Sequence, residues 1–215
     1  MKYRALFKGL TRKECAVFMN LTTPAKIQDF LECLPINFEE KEDTLFSPRR
    51  VLKEKSVHCF EGALFACAAL LFHGKDAYLL DLKVGTPKDD HHVVALFREK
   101  RKRKWYWGAI SKTNHAVLRY RDAVYRSPRE IALSYFHEYF LDNGEKTLRS
   151  YAVFDISRIK NHDWITDEKD IWYMDRILDK AKHTKIVKRA DVACLRKADP
   201  IERKAGKLVA WKKGR

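Results

Sequence analysis

The sequence contains no uninterrupted apolar stretch of the ~18 residues that a membrane-crossing helix needs, so no spanning segment is expected. Its start also lacks an apolar core. MKYRALFKGLTRKECAVF carries Arg4, Lys8, Arg12, Lys13 and Glu14 where a secretory leader needs its hydrophobic stretch, and a cytoplasmic location is expected. The five cysteines (Cys15, Cys33, Cys59, Cys67 and Cys194) include no C-x-x-C pair, and their number is odd. That pattern argues against a disulfide framework and against a thiolate zinc site, so all five should remain thiols. Internal repeats and low-complexity tracts are missing as well, and nothing matches a specific nucleic-acid-binding module.

Positive charge is what the chain has in excess. Lys and Arg number 44 against 29 Asp and Glu, a formal net charge of +15 with a pI near 9.6. Such a balance predicts attraction to acidic partners and non-specific attraction to nucleic acid. The basic residues concentrate in two places. REKRKRK (98–104) lies between two strand-like runs and reads as a solvated hairpin tip. The stretch from Lys180 to Arg215 is basic but keeps Ile186, Val187, Val192, Leu195, Leu208, Val209 and Trp211, so it reads as a partly packed extension. With 215 residues, 46% of them hydrophobic, the chain suits one α/β domain over 1–178 followed by this extension over 179–215.

Local signals give an α/β order. Thr23-Pro24 starts a short amphipathic helix with Ile27, Phe30 and Leu31 on one face, and Pro35 ends it. Asn37 to Lys55 is charged and aperiodic, with Pro48 inside, and reads as a surface connection. It leads to VHCFEGALFACAALLFHG, an apolar helical run that Ser56 would cap and Gly74 would end. Ala77–Val84 then reads as a buried strand. HVVALF (92–97) and WYWGAI (105–110) read as an antiparallel hairpin. Ser127-Pro128-Arg129-Glu130 is a capping box for an aromatic helix through Phe140, with Asn143-Gly144 as its stop. Leu148–Phe154 predicts another strand, and Thr166 a cap for a helix bearing Ile171, Met174, Ile177 and Leu178.

The chemistry gathers on the apolar helix and the hairpin. A cysteine in the first turn of a helix meets free backbone N–H groups and the positive end of the macrodipole, both of which favour S⁻. Cys59 is therefore the candidate nucleophile; the other reading of it is a small buried hydrophobe. Cys67, two turns on among Phe65, Ala66, Ala68 and Leu70, is assigned to the core. His58 adjoins Cys59, but consecutive helical side chains point about 100° apart, which disfavours it as an aligned base. A strand histidine suits that role better. His91 and His92 face opposite sides of one strand, and because both faces are apolar, alternation does not choose between them. Asp89-Asp90-His91-His92 also resembles a ligand set, yet four consecutive positions on a strand cannot converge on one ion, so no metal is expected.

These residues resemble the transglutaminase-like branch of the papain-like cysteine enzymes. The resembling part runs from Ser56 to Asn114 and comprises the helix-opening Cys59, the histidine that starts HVVALF, and the aromatic strand WYWGAIS. The flanking SKTNHAVLRYRDAVY and REIALSYFHEY look like those of bacterial proteins placed in that branch. The resemblance implies a cysteine-bearing helix packed on an antiparallel sheet, with a Cys-His-Asp or Cys-His-Asn triad acting on amide bonds. Carried over, Cys59 becomes the nucleophile and His92 the general base. The aspartate usual at the end of the neighbouring strand is missing here, where the chain reads GAISKTN. Asn114 is the expected third member because an amide oxygen accepts from imidazole N–H; Ser111 and Asp90 are the alternatives, and Asn114 also reads as a simple turn residue.

The sequence thus points to a thiol hydrolase or acyltransferase, of the peptidase or transglutaminase kind, working through a thioester on a protein or peptide amide and requiring no cofactor. The competing expectation is an inactive module of the same fold that binds an acidic partner or nucleic acid through its basic patches.

Overall fold

The computed structural model describes residues 3–40, 42–159 and 163–213, so the last two positions of the expected extension lie outside the described residues. Four helices precede the first strand: α1 (Arg12–Asn20), α2 (Pro24–Glu32), α3 (Pro48–Glu54) and α4 (Cys59–Phe72). Each of the first three begins on a hydroxyl that accepts from an N–H of the first turn, namely Thr11, Thr23 and Ser47. The third of these helices occupies the segment expected to be an aperiodic connection. Ser47-Pro48 is as good a helix start as Thr23-Pro24. The charged side chains around it find partners, Arg50 on Asp170 at 2.9 Å and Arg49 on Glu14 at 2.8 Å, so high charge here marks a salt-bridged helix and not a loop.

β1 (Tyr78–Val84), β2 (His92–Arg101), β3 (Lys104–Ile110), β4 (Arg121–Tyr125), β5 (Leu148–Asp155) and β6 (Thr184–Lys185) form one antiparallel sheet in the order β4-β3-β2-β1-β5-β6. The expected basic loop is shorter than REKRKRK. β2 continues to Arg101 and pairs Arg98 with Trp107 and Lys100 with Trp105, leaving Lys102 and Arg103 as the turn. Lys102 takes the left-handed conformation there, with φ +56°. The extra pairs form because cations and rings share a face. The Arg98 guanidinium lies 4.7 Å from the Trp105 ring centre and also pairs with the Asp76 carboxylate at 2.7 Å.

Alternation along the strands divides the core in two. Leu79, Val93, Ala95, Phe97 and Ile110 face α1–α4, while Leu80, Leu82, Val94, Leu96 and Ala109 face α5 (Pro128–Phe136). Every residue of α4 from Phe60 to Phe72 is buried, as a helix apolar all round must be. Each fully buried Leu or Phe contributes ~1.5–3 kcal/mol relative to exposure, so α4 anchors the fold and Cys59 is carried on its most constrained element. Gly62 allows a close crossing: a Cβ there would meet Lys112 Cβ at 2.6 Å. The Lys112 ammonium in turn donates to the Leu31 carbonyl at 2.8 Å and to that of Leu34, where α2 ends. Burial pulls its pKa down to about 8.

Two helices differ from expectation at their ends. α5 stops at Phe136, four residues before Phe140, with His137 as its C-cap. α6 (Trp172–Asp179) begins well after Thr166, which closes a 3-10 turn by donating its N–H to the Asp163 carbonyl at 2.8 Å. The basic extension docks onto the body. β6 adds to β5, and His183 Nε2 meets the buried Asp81 carboxylate at 2.8 Å. α7 (Pro200–Gly206) then leads a segment that exchanges backbone bonds with the chain after β3, Ala116 N–H to Leu208 O at 2.9 Å and Ala210 N–H to Asn114 O at 2.8 Å. No helix among the described residues is long and apolar enough to cross a membrane.

Candidate active site

α4 begins two residues later than a Ser56 cap implies. His58 is the N-cap, with Nδ1 accepting from Phe60 N–H at 3.2 Å, and Cys59 is the first helical residue. Glu61 completes a capping box by accepting from His58 N–H at 2.9 Å. Its fully buried carboxylate also accepts from Phe46 N–H at 2.9 Å and from the Thr44 hydroxyl at 3.1 Å. The H-x-x-E spacing was the signal for this arrangement, hidden because histidine is an uncommon cap. Being a cap rather than a helical residue, His58 escapes the 100° divergence that sets helical neighbours apart, and its ring reaches the Cys59 thiol.

Cys59 therefore faces two imidazoles. Burial works against the thiolate, but hydrogen bonds from His58 and His92 and their charges outweigh it and hold the thiol well below its ordinary pKa. The His58 pKa is pushed up to about 9: burial opposes the cation, while Cys59 and Glu61 favour it. One constraint links these groups. A cationic His58 has no lone pair for the Phe60 amide, so the ring either caps α4 as a neutral acceptor or pairs with the thiolate as a cation. Cys67 contrasts with Cys59. It is buried within the same helix, and burial pushes its thiol pKa up.

His92 opens β2 opposite Leu82 and is 6% exposed. Its Nε2 lies 2.8 Å from Ser111 Oγ, and that hydroxyl donates to the Leu118 carbonyl at 2.5 Å. Having spent its proton on Leu118, Ser111 must accept from His92 Nε2–H, which leaves Nδ1 as the lone-pair nitrogen for Cys59. Ser111 is itself gripped from α2. Gln28 Oε1 accepts its N–H at 2.9 Å, and Gln28 Nε2 donates to its carbonyl at 2.8 Å.

Asn114 does not make the contact expected of it. Its amide pairs with the backbone of Trp211, Oδ1 accepting from Trp211 N–H at 2.8 Å and Nδ2 donating to Trp211 O at 3.0 Å. β3 ends at Ile110, so Ser111 falls beside His92, and the chain has turned away by Asn114. The other members of DDHH diverge. Asp89 accepts from the Thr147 hydroxyl, Asp90 is exposed, and the exposed His91 accepts Val84 N–H on Nδ1 at 3.2 Å. No group of three or more His, Cys, Asp or Glu among the described residues is placed to hold a metal ion.

Cys59, His58 and His92 open into a cleft of about 390 Å³ that Tyr139, Arg203 and Lys207 also line. Sequence reasoning set His58 aside as an aligned base and missed Glu61 and Tyr139. It named Ser111 only as an alternative. No family model matches the chain, and no curated protein matches it.

Proposed function

We propose that this chain is a cysteine-dependent acyl-transfer enzyme, a hydrolase or acyltransferase at amide bonds, with helix-borne cysteine and strand-borne histidine arranged in the papain-like, transglutaminase-like manner. One observation carries the reading: a thiol at the first turn of a buried helix faces an imidazole whose other nitrogen is held by Ser111. In the cycle His92 Nδ1 takes the thiol proton, and the sulfur attacks the substrate carbonyl carbon as the π pair moves onto oxygen. The tetrahedral species collapses when the C–N bond breaks and the imidazolium hands its proton to the departing amine. Water or an amine, deprotonated by the same nitrogen, then opens the thioester and returns the thiol. The His58 cation beside the sulfur supports the thiolate once it forms.

The test is pulse alkylation across a pH series followed by peptide mapping. Cys59 should be modified before the other four cysteines, with an apparent pKa below the ordinary ~8.5, and His92→Ala should raise that value. Earlier modification of another cysteine, or an unchanged profile in His92→Ala, overturns the reading.

A second reading has its own support. Trp105 is 46% exposed beside Arg98, and Lys102 and Arg103 form the adjacent turn, a pairing of ring and cation that suits a polyanion bearing flat groups. Under that reading single-stranded DNA binds in a salt-dependent way that weakens when Lys102, Arg103 and Lys104 are neutralised, while Cys59 alkylation is unaffected.

A further inference from the structure

An acyl-transfer site needs donors for the oxygen that becomes an anion, and the nucleophile supplies at most its own backbone N–H. The N–H of Cys59, at the first helical position, has no acceptor among the described residues, as expected at a helix start. A second donor is carried by another residue that lines the same cleft. Tyr139 is 3% exposed, its hydroxyl is buried, and that hydroxyl has no hydrogen-bond partner among the described residues. Leaving a buried hydroxyl unpaired costs ~1–3 kcal/mol, a loss that a core position would avoid by using phenylalanine. The residue belongs to the buried cluster that includes Leu80, Leu82, Val94 and Leu148, and the backbone is held where the Tyr139 carbonyl accepts from Thr147 N–H at 3.1 Å. The hydroxyl is thus rigidly placed, and its residue lines the cleft that Cys59 opens into.

We propose that the Tyr139 hydroxyl is the side-chain donor of an oxyanion pocket, acting with the Cys59 N–H on the carbonyl oxygen of the acyl group under attack. The assignment rests on the acyl-transfer reading of Cys59. The role requires a phenol that keeps its proton beside a thiolate. Burial first, and then the charge of Cys59, hold the Tyr139 pKa well above its ordinary value. In the acylation step the C–S bond forms and the carbonyl π pair moves onto oxygen, where the two donors stabilise it without giving up their protons. When the pair returns, the leaving group departs with the electrons of its own bond.

Two probes of the same sulfur separate this role from a structural one. p-Nitrophenyl acetate acylates a thiolate through a tetrahedral oxyanion and releases p-nitrophenolate, whereas 2,2′-dipyridyl disulfide is attacked at sulfur with no oxyanion on the path. Tyr139→Phe should slow acylation ~10²-fold, the usual cost of losing one such donor. Its disulfide exchange should match wild type, and its melting temperature should not fall, because the deleted hydroxyl has no partner. Unchanged acylation in Tyr139→Phe, or an equal drop with both probes, overturns the assignment while the nucleophile stands. A wild-type protein that exchanges with the disulfide but is never acylated overturns the acyl-transfer reading itself, and Tyr139 with it.

Discussion

His92 Nε2 sits 2.8 Å from Ser111 Oγ, and because the Ser111 hydroxyl gives its own proton to the Leu118 carbonyl, the imidazole is fixed in the tautomer that leaves Nδ1 free for Cys59. Ser111 thus makes the contact expected of Asn114. Ser111→Ala should let the ring take the wrong tautomer or rotate, cutting acylation by p-nitrophenyl acetate ~10²-fold, the lower end of the range for positioned acid–base groups. The fold should persist, since Gln28 holds Ser111 through backbone atoms. An unchanged rate with Ser111→Ala would show that His92 needs no such anchor.

The alternatives that sequence reasoning weighed here show where it reaches its limit. Cys59 and the hairpin follow from local pattern, because caps and apolar runs are written within a few neighbouring residues, whereas alternation leaves His91 and His92 equal. The third contact depends on where β3 stops, and that is set by register with β2 and by Gln28 on a distant helix. Asn114 and Ser111 are three residues apart, yet a strand end and a turn send one to the C-terminal segment and the other to the imidazole. Tyr139 was less visible still. Its hydroxyl gains meaning only when the segment after α5 is brought to the cleft that the first residue of α4 lines.

The charge pair at Cys59 predicts a bell-shaped stability contribution. The depressed thiol pKa stabilises the fold above the ordinary thiol range, and that stabilisation is lost as pH falls through the folded value. The raised His58 pKa acts in the opposite sense: its contribution is complete below 6.5 and lost as pH rises through about 9. Since each shift requires the other charge, the pair should contribute most between the two limbs. Urea denaturation of wild type and Cys59→Ala as a function of pH measures it. A difference between the two that does not vary with pH contradicts the pair.

His58 combines two roles that different substitutions separate. His58→Asn supplies a good N-cap for α4 but removes the cation, so stability at neutral pH should fall less than in His58→Ala, which has neither cation nor cap, a cap being worth ~1 kcal/mol. Both variants should raise the alkylation pKa of Cys59, and by the same amount. If His58→Asn kept the wild-type alkylation profile, His92 alone would be the thiolate's partner.

Gly62 gives a prediction whose sign runs against helix propensity. Glycine to alanine inside a helix ordinarily stabilises by ~0.5–1 kcal/mol. At Gly62 the new Cβ would lie 2.6 Å from Lys112 Cβ, an atom fixed to the backbone just beyond β3 and unable to swing aside. Relief therefore requires α4 to move away from the segment that carries Ser111 and Lys112, a displacement at the centre of the candidate site. Gly62→Ala should destabilise the protein by ~1–3 kcal/mol, the usual penalty of overpacking. It should also slow acylation more than the Lys112→Ala variant does, because truncating Lys112 leaves α4 in place. A gain in melting temperature for Gly62→Ala, with acylation intact, would mean that α4 and the Ser111 segment are not held as closely as the 2.6 Å approach requires.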